Sequence, residues 1–588
     1  MRRFLSLLWL PVLFLCVSAA DYHEQLILRP LPHSSLLASF DFRSNTTLAE
    51  FETGNFRFFP RSLGQILQHA GTRELHLRFS LGRWDAESWG ARPWDGAREA
   101  GTGVELWAWL EADTDEEADK KWLTLTNALS GLFCASLNFI DGTRTTRPVM
   151  SFQPEGDHSA TTNMHLLYGV LPHEVVCTEN LTPFLKLLPC KGKAGIASLL
   201  DGHKLFDASW QSMAIDVRPI CPMGEDCVLQ IEQTVDMVLD IDRSKRPRDN
   251  PIPRPRPGNE LLCDTTKPYN SHDTCFPIDD MANQDWSLSQ LFGKPIKGTC
   301  PSRTPPHPRA TEHKAPRASP AASTSSLSDF DLTLPPPPDT NTDTDPKSPP
   351  PTISTSHPHP LIVPHQLLLY AERSFTGHGQ HQGGIQTILR NPSPHTAVEF
   401  IYMETLPWFM RIYLHTLSAR ISGHSHPPDK SLIREVYYRP ALDRARGTQL
   451  EVRMRVPPGE TVFLTYDFEK SILRYTEYPP DANRGFDVAA AVITVLDPHS
   501  DIHNNNDSDT TGDAVVGRFG AYTLRTTSLL CSLPTPDFSM PYNVIIFTST
   551  AIALAFGGMF NILVRRFVAA DEGPEAGLKV LVGRMKGG

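Results

Sequence analysis

Between Val544 and Val564 the chain runs for 21 residues without a charge (VIIFTSTAIALAFGGMFNILV). At the rise of an α-helix that run is long enough to cross a hydrocarbon core of roughly 30 Å. Arg565 and Arg566 follow at once, and basic residues beside a span mark its cytosolic side. A C-terminal lipid-anchoring signal normally ends with its apolar stretch. Here a polar tail follows, which favours a retained span. The other end carries a second apolar segment. Arg2 and Arg3 precede an apolar run from Phe4 to Val17, and Ser18-Ala19-Ala20 close it. This is the layout of a secretory signal cut after Ala20, and Pro11 inside the run argues against an uncleaved anchor. The chain therefore reads as a type I single-pass membrane protein. Residues 21–543 lie on the lumenal side, 544–564 cross, and 565–588 form a cytosolic tail.

The remaining composition narrows the class. A length of 588 residues allows two to four domains. A net charge of -11 and a pI near 6.1 argue against a nucleic-acid partner. Mean hydropathy of -0.27 excludes a polytopic membrane protein, and 52 prolines exclude one compact helical bundle.

Ten cysteines are present, and Cys16 leaves with the signal. The nine others sit on the oxidising side, where disulfides form. Nine is odd, so at least one thiol is free or bonded to another chain. Cys221 with Cys227, and Cys263 with Cys275, are spaced for small local loops. Three glycosylation sequons, at Asn45, Asn180 and Asn506, agree with the secretory route.

The fold class expected is α+β and β-rich. Residues 21–245 form an α/β block. Within it Arg73–Phe79 and Val104–Leu110 alternate like half-buried strands, and Trp84, Trp89 and Trp94 mark a loop between them. Thr114 and Glu117 are spaced as a capping box, and Trp122, Leu125, Leu129 and Leu132 recur at helical spacing behind it. Residues 246–300 are a cysteine-containing loop region that begins basic and Pro-rich. Residues 301–360 are dominated by Pro, Ser and Thr and cannot bury enough surface to fold, so they read as a disordered insert. Residues 361–530 form a second block, read as β-sandwich-like. Leu450–Val456 and Thr461–Phe468 there flank Pro457-Pro458-Gly459-Glu460 and suggest a hairpin. Residues 531–543 are a juxtamembrane segment.

No catalytic constellation stands out. The sequence has no G-x-S-x-G elbow, H-E-x-x-H helix, Walker loop or dinucleotide-binding fingerprint. His378 and His381, and His424 and His426, lie in Gly- or Pro-rich turns without nearby carboxylate or cysteine partners, and read as solvated loops. Neither a metal nor a cofactor is called for.

Several irregular stretches, in order along both blocks, resemble one family closely. They are LRFSLGRW with SWG (Leu77–Gly90), LSGLFCASLNFID (Leu129–Asp141), VVCTENLTP with LLPC (Val175–Cys190), KAG (Lys193–Gly195), TEYPPDANRGF (Thr476–Phe486) and LPTPDFSMPYN (Leu533–Asn543). The family is the T subunit of the glycosylphosphatidylinositol (GPI) transamidase, PIG-T. The resemblance implies a non-catalytic scaffold in a multi-subunit complex of the endoplasmic reticulum membrane. That complex replaces the C-terminal signal of a precursor protein with a GPI lipid. It implies as partners a caspase-like catalytic subunit, held partly by an interchain disulfide, and the other membrane subunits. The matching cysteine is Cys177, and its neighbouring sequon at Asn180 suggests an exposed loop. The resemblance also implies that polar residues at the membrane edge receive the GPI head. These are Asn483, Asp537, Ser539 and Asn543, whose carboxylate, amide and hydroxyl groups suit an ammonium, phosphate and sugars. The alternative from another class is a membrane-anchored lumenal hydrolase with a dispersed active site.

Overall fold

The computed structural model describes residues 22–32, 34–56, 58–158, 163–172, 174–221, 227–245, 263, 286–300, 333–334, 367–377, 379–423, 431–479, 481–496, 522–535 and 539–565. The signal segment, most of 301–360 and the tail beyond Arg565 lie outside these, as do Cys275, His378, His424, His426, Asn506 and Asp537. Two compact units are formed: Met1–Leu473 with Arg484–Leu533, and Arg474–Asn483 with Pro534–Gly588.

The larger unit begins with eight strands: β1 (Tyr22–Leu31), β2 (Ser35–Thr47), β3 (Thr72–Leu81), β4 (Gly103–Glu111), β5 (Thr145–Thr146), β6 (Met164–Pro172), β7 (Trp210–Ile220) and β8 (Val228–Asp240). They form one sheet in the order β1-β2-β8-β7-β3-β4-β6-β5, antiparallel throughout. The helices between them are α1 (Leu48–Glu52), α2 (Arg61–His69), α3 (Ala86–Trp89), α4 (Asp115–Phe133) and α5 (Thr178–Leu187).

Period-2 alternation on β3 sends Leu75, Leu77 and Phe79 to one face. There they pack with Leu63 and Leu67 of α2, Trp122, Leu125, Leu129 and Phe133 of α4, and Leu181 and Phe184 of α5. Each fully buried side chain of this size contributes about 1.5–3 kcal/mol. Thr114 caps α4, its hydroxyl accepting from the Glu117 N–H at 3.2 Å. Residues 286–300 return to the same core. Leu288, Leu291 and Phe292 are buried, the Phe292 ring stands edge-on to Phe40, and Cys300 is disulfide-bonded to Cys190.

The opposite face departs from expectation. A half-buried strand leaves its polar side to water, yet Glu74, His76 and Arg78 are at most 1% exposed. They pair with one another and with neighbouring strands. His76 lies across from Asp216 in the β3–β7 register and bonds it at 2.5 Å through Nδ1, while its Nε2 bonds Glu74 at 2.8 Å. Arg78 pairs with Asp216 at 2.6 Å. The ring of His76 stacks on Trp107. Farther along, Arg98 bonds Asp41 at 3.0 Å and also pairs with Glu232.

Three elements cover this charged face. The loop between β3 and β4 carries Trp84, wedged against Trp89 and Trp210, and Trp94, over which Arg98 lies at 3.8 Å. The segment 147–158 forms a strap. Glu74 accepts from the Glu155 and Gly156 N–H groups, and His158 bonds the same carboxylate. The third cover is a β-sandwich.

After a short pair formed by β9 (Trp286–Ser287) and β10 (Thr333–Leu334), that sandwich comprises β11 (Tyr370–Thr376), β12 (Gln382–Arg390), β13 (Val398–Leu406), β14 (Met410–Ile421), β15 (Ile433–Arg439), β16 (Thr448–Val456), β17 (Thr461–Lys470), β18 (Phe486–Val488), β19 (Val492–Val495), β20 (Thr523–Arg525) and β21 (Leu529–Cys531). The two main sheets run β11-β12-β17-β14 and β15-β16-β13-β19-β20. Tyr402 bonds Thr387 across them at 3.1 Å, and Arg373 pairs with Glu404 where neither side chain is exposed.

The expected hairpin is corrected here. β16 pairs with β13 and β15, whereas β17 pairs with β12 and β14, so residues 457–460 carry the chain from one sheet to the other. The side chain of Asn391 holds the corner by donating to the carbonyls of Val456 and Pro457, and the Gly459 N–H donates to Ser393. Two successive prolines also remove the N–H groups that a paired turn would need.

The sandwich meets the charged face through Met403 and Val492, which pack on Trp107, Phe152 and Tyr168. Arg525 pairs with Glu105 at 2.7 Å, and Glu451 accepts from the N–H groups of Val149, Met150 and Ser151 in the strap. Gly96 has a φ of +76°, and a Cβ there would lie 1.9 Å from the Thr523 carbonyl oxygen, so only glycine fits.

Two outcomes follow. Glu105→Ala strands a buried guanidinium and costs about 3–5 kcal/mol. Arg73→Ala breaks the exposed pair with Glu111 and costs under about 1 kcal/mol. Thermal denaturation of the detergent-solubilised protein separates the two, and equal losses would refute the interface. The second outcome concerns pH. Burial works against protonation of His76, but Glu155, Asp216 and Glu74 outweigh it and hold the ring up to about 9. That exceeds the unfolded value of roughly 6.5, so the contribution, about 3 kcal/mol, is complete below pH ~6.5 and fades as pH rises toward 9. Glu74 and Asp216 are driven upward by burial, yet their basic partners hold both well below the carboxylate range, so their contribution is lost only in acid. The melting temperature should fall between pH ~6.5 and ~9, and His76→Gln should flatten that slope.

Candidate functional site

Cys177 stands at the N-cap of α5, with extended backbone angles. It is half-buried, and its thiol is free, as are those of exposed Cys134 and buried Cys531. Burial pushes the Cys531 thiol up, which leaves it protonated and inert. Cys221 is bonded to Cys227, and Cys263 is also in a disulfide.

The surroundings of Cys177 bear on two expectations. Residues 174–177 form an irregular stretch that leads into α5, and Asn180 is 2% exposed. The Asn180 carbonyl oxygen accepts from the Cys177 N–H at 2.8 Å. Its amide nitrogen donates to the carbonyls of Phe133 at 3.0 Å and Cys134 at 3.3 Å. Those carbonyls belong to the end of α4, where Cys134 turns left-handed with a φ of 52°. Glu174 adds a second staple by accepting from the Ser136 N–H at 2.8 Å. Asn180 therefore fastens the Cys177 turn to the Cys134 turn. A glycan needs that same amide nitrogen free and in solvent, so the expected glycosylation of Asn180 does not fit this fold. Asn45, on β2, is half-buried and accepts from the Gln230 amide at 3.1 Å.

The free Cys134 was not singled out from the sequence. Counting nine cysteines fixes only parity, and no residue pattern around Cys134 marks its thiol as unpaired. Two large apolar side chains stand exposed near these thiols, Val175 at 76% and Phe139 at 62%, beside exposed Thr178 and Glu179.

The membrane-edge residues lie in the smaller unit. Asn483 is exposed in a turn, its N–H donating to the Asp481 carboxylate at 3.2 Å. Ser539 opens the C-terminal helix, Ser539–Val564, and exposed Asn543 lies one turn further on. The stretch Arg474–Asn483 clusters with that helix segment although about 60 residues separate them in sequence, and the Tyr478 hydroxyl donates to the Pro534 carbonyl at 2.6 Å. From Tyr542 to Val564 the helix is long and apolar enough to cross a membrane, and its side chains are exposed. The Thr550 hydroxyl donates back to the Ile546 carbonyl at 2.8 Å, which satisfies it without water.

Two features bear on catalysis. The Asp216–His76–Glu74 array resembles a proton-relay triad in its contacts, but its side chains are 0–4% exposed beneath Trp107, where no substrate reaches. No group of three metal-ligating side chains is present among the described residues, and His381 is exposed.

If Asn180 is a staple and not a glycan carrier, Asn180→Gln leaves the electrophoretic mobility unchanged before and after enzymatic deglycosylation. It also lowers stability by about 1–3 kcal/mol, since a longer side chain cannot serve both turns. A mobility shift that deglycosylation abolishes would refute this.

Comparison with known proteins places the chain. The sequence pattern of the family described as "Gpi16 subunit, GPI transamidase component" matches residues 6–587. The GPI transamidase component GPI16 of Saccharomyces cerevisiae is 38% identical, covering 96% of this chain and 92% of its own. The PIG-T homolog of Schizosaccharomyces pombe is 37% identical over 93% and 90%, and human GPI-anchor transamidase component PIGT is 33% identical over 92% and 90%. A match over nearly the whole length, at such identities, makes this chain a member of the Gpi16/PIG-T family of GPI transamidase components.

Proposed function

We propose that the protein is a non-catalytic subunit of the GPI transamidase complex in the endoplasmic reticulum membrane. It holds the caspase-like catalytic subunit through an interchain disulfide at Cys177. The observation that carries this is the free, half-buried thiol of Cys177 at the start of a surface helix, in a chain matched end to end by transamidase components. An exposed apolar rim at Val175 and Phe139 suits a docked protein. The extensive burial of charge between sheet and sandwich suits a rigid support. The His76 array, buried beneath Trp107, does not supply the accessible centre that the hydrolase alternative needs.

In this proposal the signal segment is removed, the bulk of the chain is lumenal, and the C-terminal helix spans the membrane among the other subunits. Gly557 and Gly558, where an added Cβ would meet nothing, leave room for a neighbouring helix to approach closely. The GPI head is received at the membrane edge by Asn483, Asp537, Ser539 and Asn543. The clustering of the Asn483 loop with the juxtamembrane segment supports this. Glycans sit on Asn45 and Asn506.

The test is a non-reducing gel of membranes containing the tagged protein. A larger band should collapse on reduction and vanish with Cys177→Ser, while Cys134→Ser retains it. Mass spectrometry of the band should find a cysteine-protease-like chain. A folded wild-type protein that forms no adduct would exclude the tether.

A further inference from the structure

At the C-terminal end of α5 lies a cavity of about 440 Å³. One wall is the entry to α2, Phe58–Ser62, and the other is the segment Lys186–Lys191. Cys190 in that second wall is fixed to Cys300 by a disulfide. Buried Phe59, Leu187 and Leu188 form an apolar floor. Arg61, Lys186 and Lys191 stand at the lining, all exposed, and no carboxylate is among the lining residues. None of the three cations is in an ion pair among the described residues. The chain as a whole carries 66 acidic against 55 basic residues, so this concavity reverses the prevailing sign. A cleft lined by one sign of charge over low-dielectric walls concentrates its field.

We propose that this pocket receives an acidic segment of a partner subunit, one whose carboxylates are flanked by apolar side chains. This rests on the proposal that a partner chain docks at Cys177. The geometry favours a protein over a small anion. Thr178, Thr182 and Lys186 are exposed and four residues apart, so they share one face of α5. That face runs from the Cys177 turn to the cavity over about 13 Å. Val175 and Phe139 are exposed near its Cys177 end, and Glu179 is the one exposed carboxylate on α5. The apolar floor matches side chains that a free oxyanion lacks. Arg61 offers a carboxylate the forked, two-bond geometry, and the two lysines add point charges.

The experiment uses the full-length protein in membranes, solubilised with its complex. Arg61→Glu, Lys186→Glu and Lys191→Glu are combined, with and without Cys177→Ser, beside a set in which all three become Gln. In the Cys177→Ser background, charge reversal should lower the co-purified caspase-like chain about tenfold, and the Gln set should lower it less. Salt at ~0.5 M should reproduce the loss with the native pocket. Carbodiimide coupling should join Lys186 or Lys191 to an Asp or Glu of that chain. An unchanged melting temperature excludes misfolding as the cause. Unchanged recovery in both backgrounds would overturn the pocket while leaving the Cys177 adduct intact. Reduced recovery with no adduct in any variant would uphold the pocket and overturn the tether. If inorganic phosphate raises the melting temperature of the native pocket but not of the reversed one, and recovery is unaffected, the site is for a small oxyanion and the proposal fails.

Discussion

The structure depends on burying a ladder of charges on one face of the eight-stranded sheet. Glu74, His76, Arg78 and Asp216 sit at its centre, Asp41, Arg98 and Glu232 extend it to one side, and Glu105 with Arg525 ties it to the sandwich. Withdrawing such groups from water is costly, and their mutual attraction offsets that cost only when every partner is in place. The covering elements are therefore fixed in position by the ladder as well as by contact. The strap at 147–158 illustrates this. Glu74 holds one end by backbone N–H groups, Glu451 of the sandwich holds the other, and Phe152 between them stacks on Tyr168 and packs tilted against Trp107.

This arrangement assigns the two faces of the sheet different tasks. The charged face is closed by the sandwich and its strap. The apolar face is closed by α2, α4 and α5, whose outer surfaces stay open. Cys177, Cys134 and the basic cavity all lie on that helical side, at the ends of α4 and α5. Asn180 joins these two helices end to end, so the turn bearing the thiol is held by the same core that holds the sheet. A site for another chain gains from such a mount, because little ordering remains to be done when the partner binds.

How much was legible beforehand differs by element. β3, β4 and α4 followed from their periodicity, because apolar spacing reports directly which face meets a core. The same alternation misjudged the polar half of β3. Glu74-x-His76-x-Arg78 reads as solvent-facing, and only the partners on β7 and the strap make its burial tolerable. The corner at 457–460 was misjudged for a related reason. Two alternating runs around a turn fit a hairpin or a crossing between sheets equally well, and the choice falls to Asn391, some 65 residues away. At Asn180 the sequon described a recognition pattern, whereas the fold uses that amide as a clasp.

What the sequence by itself determined is what local chemistry dictates: an apolar run long enough to span a bilayer, strand and helix periods, a surplus of thiols, and irregular motifs peculiar to one family. What only the tertiary structure decided is which polar groups lie inside, which cysteines stay free, and which cations gather around a cavity. Those outcomes turn on pairings between residues hundreds of positions apart, such as Glu105 with Arg525. No local pattern encodes them, because the cost of burying either partner is met only once the other has arrived.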